Sequence, residues 1–279
     1  MIEIFTTPAG LTLSYERRGR GPLLVCHPGG PGASAAEFRD FAGLEDTFEL
    51  VLLSPRGSHG SDPAADYALH SYAADLDALR EHLGAEQLDL LGFSHGGIVA
   101  MKYAAMFGQR VRRLVLAGTL AVWGDEAEAA MQRSIDSHRD EPWYTEARQA
   151  IEEEQAGEFS SVQELIENVQ RQAPLYFHRW EGNEQAGREL FSDFAHSEPL
   201  HYFNTVEFPT FDLRGELRTI QAPTLVVVGD DDMIAGPVCA DAIVGELPDS
   251  RLVTIPESGH FLYVEQPTAF RAALTDFLL

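Results

Sequence analysis

The sequence predicts an α/β protein: a mostly parallel central sheet flanked by helices, with an inserted helical cap. Three observations predict it. Short β-like runs alternate with helical periodicities in two separate blocks, the order of a doubly wound sheet. Some of those runs, such as Leu23-Leu24-Val25-Cys26, are apolar without alternation, as strands buried on both faces are. Between the blocks helical spacing continues with no convincing strand and with many acidic residues.

In the first block strands are expected at 11–16, 23–27, 49–53, 88–92 and 113–117, and helices at 35–42, 71–83 and 95–107. The insertion carries helical patterns at 127–137, 146–154 and 162–170. The α/β order then resumes: strand 224–228, helix 237–247, strand 251–255, helix 267–279. The expected organisation is a core formed by residues 1–119 and 216–279, split by a cap at 120–215. The cap would lie over the ends of the strands, where such sheets bind ligands.

A chain of 279 residues can bury a sizeable core without staples. The net charge of −24 argues against nucleic acid and anionic membranes as partners. The first residues lack the basic start and apolar run of a secretory signal, and no apolar stretch approaches the roughly 20 residues of a membrane span. Cys26 and Cys239 lie far apart and outside any metal-ligand spacing. Two reduced thiols in a cytoplasmic protein is the expectation.

The chemistry begins at Gly92-Phe93-Ser94-His95-Gly96, a G-x-S-x-G run between a strand and a helix. A serine exposed at so sharp a turn takes a strained backbone, and the residues two before and two after approach too closely for side chains. Ser94 is therefore expected as a nucleophile, not merely as a helix cap. The strand 23–27 leads into His27-Pro28-Gly29-Gly30-Pro31-Gly32. A loop of this kind lets backbone N–H groups reach the oxyanion of acyl transfer. Gly29 is the favoured donor, with Gly30 the second candidate beside the substrate, and the amide of His95 is the partner donor. His27 is expected to brace the loop. No Gly-Lys-Ser/Thr follows, which excludes a phosphate loop.

Two late strands supply the remaining groups. One ends in Gly229-Asp230-Asp231-Asp232 and the next in Ser258-Gly259-His260. His260 can take the serine proton and return it to the leaving group, while a carboxylate fixes its tautomer. Asp232 has the reach beyond the strand end, and Asp230 and Asp231 are read as turn or cap residues. The triple aspartate lacks the alternating ligands of a calcium loop, so neither metal nor cofactor is expected.

Along nearly its whole length the sequence resembles the α/β-hydrolase superfamily, whose triad runs Ser, Asp, His in chain order. His27-Pro-Gly-Gly-Pro-Gly resembles the H-G-G-P-G motif of the proline iminopeptidase-like branch, peptidase family S33. Ser54-Pro-Arg56-Gly57 resembles that branch's D-x-R-G stretch, with Ser54 in place of the aspartate. The resemblance implies Ser94, Asp232 and His260 as triad, Gly29 and His95 as oxyanion donors, and lid glutamates that bind a substrate's free amino terminus. One of those lies in a Trp-Glu pair, which Trp180-Glu181 resembles.

The expected activity is release of N-terminal residues from short peptides by a serine hydrolase through an acyl-enzyme. Carboxylesterase or lactonase action on a small neutral substrate uses the same machinery. A third reading is a receptor that keeps the shell of the fold and turns over slowly.

Overall fold

The computed structural model describes residues 2–156, 159 and 161–279. Its strands are β1 Ile2–Thr6, β2 Thr12–Gly19, β3 Leu23–His27, β4 Glu49–Ser54, β5 Leu88–Phe93, β6 Val111–Ala117, β7 Thr224–Gly229 and β8 Ser250–Ile255. They form one sheet in the order β1-β2-β4-β3-β5-β6-β7-β8. β1 and β2 pair antiparallel, as do β2 and β4; every pairing from β4 onward across the sheet is parallel.

The apolar runs explain the layering. Every residue of β5 and β7 is buried, because helices cover both faces of the sheet. Alternate residues supply two cores: Val25, Val51 and Leu90 join the cluster under α1 (Leu69–His82) and α2 (His95–Met106). Leu24, Leu50 and Leu91 join the opposite cluster. The segment between β6 and β7 carries α3 Asp125–Ser137, α4 Tyr144–Ala156, α5 Val162–Gln172, α6 Glu184–Leu190, α7 Glu198–Tyr202 and α8 Arg214–Leu217. An isolated antiparallel bridge, Val122 to Asp212, brings its two ends together. After β7 come α9 Pro237–Val244, and after β8 the short α10 Leu262–Glu265 and α11 Pro267–Leu278, whose Phe270 and Leu274 enter the second core.

Two local expectations fail. β1 was not foreseen; it is an edge strand that leaves Ile2 and Ile4 exposed, and its register on β2 holds it. The helix expected at 35–42 is instead two short turns of tighter helix, Ala35–Phe38 and Phe41–Asp46. Arg39, Phe41 and Ala42 take positive φ, which no α-helix permits. Phe38 and Phe41 are driven into the core beside Tyr263, and that burial outweighs the helical spacing.

Candidate active site

Ser94 stands where β5 turns into α2, with φ +52° and ψ −121°. A non-glycine residue there is strained, and strain of this kind persists only where surrounding contacts impose it. Its N–H donates to Ala117 of β6 at 2.9 Å, and its carbonyl accepts from the Thr119 hydroxyl at 2.7 Å. A Cβ on Gly92 would overlap the carbonyl of Gly96, and one on Gly96 would overlap the carbonyls of His27 and Pro28. The two glycines thus let β5, α2 and the loop after β3 converge on one point. The Gly97 N–H donates to the Ser94 carbonyl at 2.8 Å, and the positive end of α2 lies at that point.

The loops after β7 and β8 bring the next two residues together. His260 Nδ1 lies 2.9 Å from Asp232 Oδ2, and both side chains are buried. Asp232 Oδ1 accepts the N–H groups of Ile234 and Ala235, each at 2.9 Å, so the carboxylate cannot rotate without losing three bonds. A carboxylate only accepts, which assigns the Nδ1 proton to His260 and leaves Nε2 free to take another. The His260 backbone N–H donates to the Tyr176 carbonyl at 2.8 Å, and Phe93 packs on the imidazole with ring centres 5.0 Å apart. Glu265 ties this loop to the helical segment: it accepts from Gly259 at 2.7 Å, from Arg179 at 3.1 Å and from His178 at 3.2 Å.

In the loop after β3, His27 Nδ1 meets the Pro28 carbonyl at 2.9 Å, and burial lowers its pKa to about 4, so the ring is neutral and donates. His95 is likewise buried, and its pKa is held well below the ordinary value. The Gly29 N–H donates to the buried carboxyl of Glu37 at 2.6 Å.

Ser94 and His260 line a cavity of about 900 Å³ between the sheet ends and the helical segment. Phe191, Phe194, Phe203 and Phe208 give it an aromatic wall. Its charge is one-sided: Glu37, Glu128, Glu152, Glu154 and Glu198 face Arg148 as the basic counterpart among the lining residues. Arg148 is already engaged by Asp136 at 3.0 Å and Glu152 at 3.2 Å.

The family model for the alpha/beta hydrolase fold matches residues 22–267. The chain belongs to the α/β-hydrolase fold family. Among curated relatives it is 27% identical to the proline iminopeptidase PfmaB of Pestalotiopsis fici, over 95% of both chains. It is 27% identical to the proline iminopeptidase of Levilactobacillus brevis, over 92% of this chain and 88% of that one. Among solved structures the esterase RhEst1 of a Rhodococcus species superposes with a TM-score of 0.79 at 22% identity, over 99% of this chain and 98% of that one.

Within this α/β-hydrolase the expected site residues divide. Ser94, His95, Gly30 and His260 border the cavity, and Asp232 lies directly behind His260; Gly29, the favoured oxyanion donor, does not border it, because its N–H is directed to Glu37. Trp180 and Glu181 do not line it, contrary to expectation. Trp180 packs on Phe177 and against Gly187 of α6, and that anchorage turns Glu181 outward, 85% exposed and 3.3 Å from Arg179. The helical-segment carboxylate that does border the cavity, only partly exposed, is Glu154 at the end of α4; it accepts from Gln172 at 2.6 Å. Nothing in its local sequence separates Glu154 from the other glutamates of that segment. Glu37 and Thr119 were also missed, because each acts across a distance the sequence does not reveal.

Proposed function

We propose that this chain is a serine hydrolase that releases N-terminal residues from short peptides. Ser94 attacks the scissile carbonyl while His260 Nε2 takes its proton; Asp232 holds the Nδ1–H tautomer and stabilises the imidazolium. The amide of His95 and that of the Gly29 loop bind the oxyanion, and the protonated imidazole returns its proton to the departing amine. Water then attacks the acyl-enzyme by the same route in reverse order of partners.

The carrying observation is the charge of the cavity beside Ser94. Five glutamates face one arginine that is itself already paired. A substrate with a free ammonium group relieves that excess of negative charge, which a neutral ester does not. The two proline iminopeptidase relatives support the same reading. Glu154, half-buried at the cavity wall and close enough to raise the pKa of the Tyr176 hydroxyl, replaces Glu181 as the amine-recognising carboxylate. The aromatic wall gives the alternative its support, since it also suits the acyl chain of an ester or lactone.

Initial rates on proline β-naphthylamide and p-nitrophenyl butyrate, with Ser94→Ala as blank, test the proposal. Preference for the aminoacyl amide is expected. Glu154→Gln should raise KM for that substrate about tenfold, as loss of one charge-assisted contact of roughly 1.5 kcal/mol does, and leave the ester unchanged. Turnover of the ester alone would overturn the peptidase reading.

A further inference from the structure

Asp232 aims the imidazole of His260, but the backbone that carries the ring is held from the helical segment between β6 and β7. The His260 N–H donates to the carbonyl of Tyr176, at the end of the turn Ala173–Tyr176, at 2.8 Å. A Cβ on Gly259 would stand 2.5 Å from that carbonyl and 2.8 Å from the His178 nitrogen, so glycine lets residues 176–178 press against the histidine loop. Glycine also gives the loop the least backbone restraint of its own. A carboxylate at the end of α10 supplies the restraint instead.

Glu265 Oε2 accepts the Gly259 N–H at 2.7 Å and the His178 N–H at 3.2 Å, and Oε1 accepts the Arg179 N–H at 3.1 Å. One side chain thus gathers a donor from the residue before His260 and two from the facing segment. An ionised acceptor makes each of these bonds stronger than a neutral one would. The same segment reaches the loop of the acid: His178 Nδ1 lies 3.1 Å from Asp231 Oδ2, one residue before Asp232. Phe177, buried and packed on Phe261 with ring centres 5.4 Å apart, supplies apolar adhesion. The bonds to Glu265 fix the register in which the two pieces of chain meet.

We propose that Glu265 is a positioning residue for His260: it clamps the histidine loop onto residues 176–179, so that the reach of Nε2 to Ser94 is set from the helical segment as well as from the sheet. The inference rests on Ser94 and His260 as nucleophile and base, and it holds for a peptide or an ester substrate alike. Glu265 lies outside the cavity, and no proton passes through it. It acts on distance. Taking the Ser94 proton requires Nε2 within hydrogen-bond reach, and a misplacement of about 1 Å in such a group costs about 10²-fold. Without Glu265 three backbone N–H groups lose their common acceptor, and the loop before His260 gains that freedom. The walls that bind substrate stay in place, so the loss falls on kcat and not on KM.

The test measures kcat and KM on p-nitrophenyl butyrate, per folded molecule with thermal melts alongside, for wild type, Glu265→Ala, Glu265→Gln and Glu189→Gln, with Ser94→Ala as blank. Glu189 fastens the helical segment to the core elsewhere, through Arg39 at 2.6 Å, and is the control for docking alone. Glu265→Ala should lower kcat at least about tenfold with KM within about twofold, and Glu189→Gln should leave both unchanged. In a His260→Ala background, where the residual rate comes from the oxyanion donors and binding, Glu265→Ala should change that rate less than about twofold. A smaller loss of kcat, a loss expressed as raised KM, or an equal further loss without His260 overturns the proposal. If the alanine variant does not fold, Glu265→Gln decides: glutamine keeps one carbonyl oxygen but not the charge, and a kcat lowered about threefold or more at unchanged KM supports the clamp, while any smaller effect overturns it. Ester turnover undiminished by Ser94→Ala and His260→Ala overturns the reading of the site itself, an outcome distinct from a wild-type rate for Glu265→Ala in an enzyme that needs both.

Discussion

Replacing Asp232 by asparagine changes one atom and should remove nearly all turnover. The structure fixes how the new side chain must sit. Asp232 Oδ1 accepts two backbone N–H groups at 2.9 Å, and an asparagine oxygen can keep both. Turning the amide round would set NH₂ against those two donors and forfeit two hydrogen bonds, about 1–3 kcal/mol in all. The NH₂ therefore faces His260 Nδ1, now 2.9 Å from a donor instead of an acceptor. Nδ1 must then accept, the proton moves to Nε2, and the ring can no longer take one from Ser94. In chymotrypsin-like proteases the same exchange costs about 10⁴ in kcat. At about 1.36 kcal/mol per tenfold, that is roughly 5.4 kcal/mol of barrier. The assay is kcat on p-nitrophenyl butyrate at pH 8 with thermal melts alongside. A melting temperature near wild type with kcat down by 10³ or more is expected. A folded Asp232→Asn variant within tenfold of wild type would refute the tautomer argument, and with it the role given to Asp232.

Two further perturbations probe the frame around the site. Gly96→Ala drives a methyl into the carbonyls of His27 and Pro28, so it should destabilise by more than about 2 kcal/mol and lower Tm by at least about 5 °C in calorimetry. A melt unchanged within a degree would show that the elbow relaxes freely. Arg56→Met tests the buried pair with Asp75, whose carboxylate Arg56 grips through two nitrogens at 2.7 and 2.9 Å. Leaving Asp75 unpaired in the core should cost about 3–5 kcal/mol in denaturant unfolding, with kcat per folded molecule unchanged.

Arg56 also shows how a motif can be legible while its purpose is not. The run from Ser54 to Gly57 stands out in the sequence, but only the fold reveals that Arg56 also donates to the Asp66 carbonyl at 2.7 Å and pins the loop before α1. The 35–42 stretch teaches the reverse lesson. Its apolar spacing reads as a helix, and the demand for Phe38 and Phe41 in the core broke it into two turns, one of which delivers Glu37 to Gly29.

The sequence by itself determined the elements whose signal is local. Apolar runs bounded by turn residues specify β3, β4, β5 and β7, because a strand buried on both faces leaves few polar positions to obscure it. Gly92 and Gly96 around Ser94 announce a crowded turn, since glycine alone avoids the overlap found there. What the tertiary structure alone decided is which distant groups meet. Asp232 could be singled out from three neighbouring aspartates by reach, but its grip on His260 depends on where β7 and β8 end in the sheet. Trp180-Glu181 looked like a recognition pair, and the packing of one indole turned it to solvent. Glu37 and Glu154 carried no local mark, because the meaning of a carboxylate is set by its burial and its partners, which belong to the folded chain.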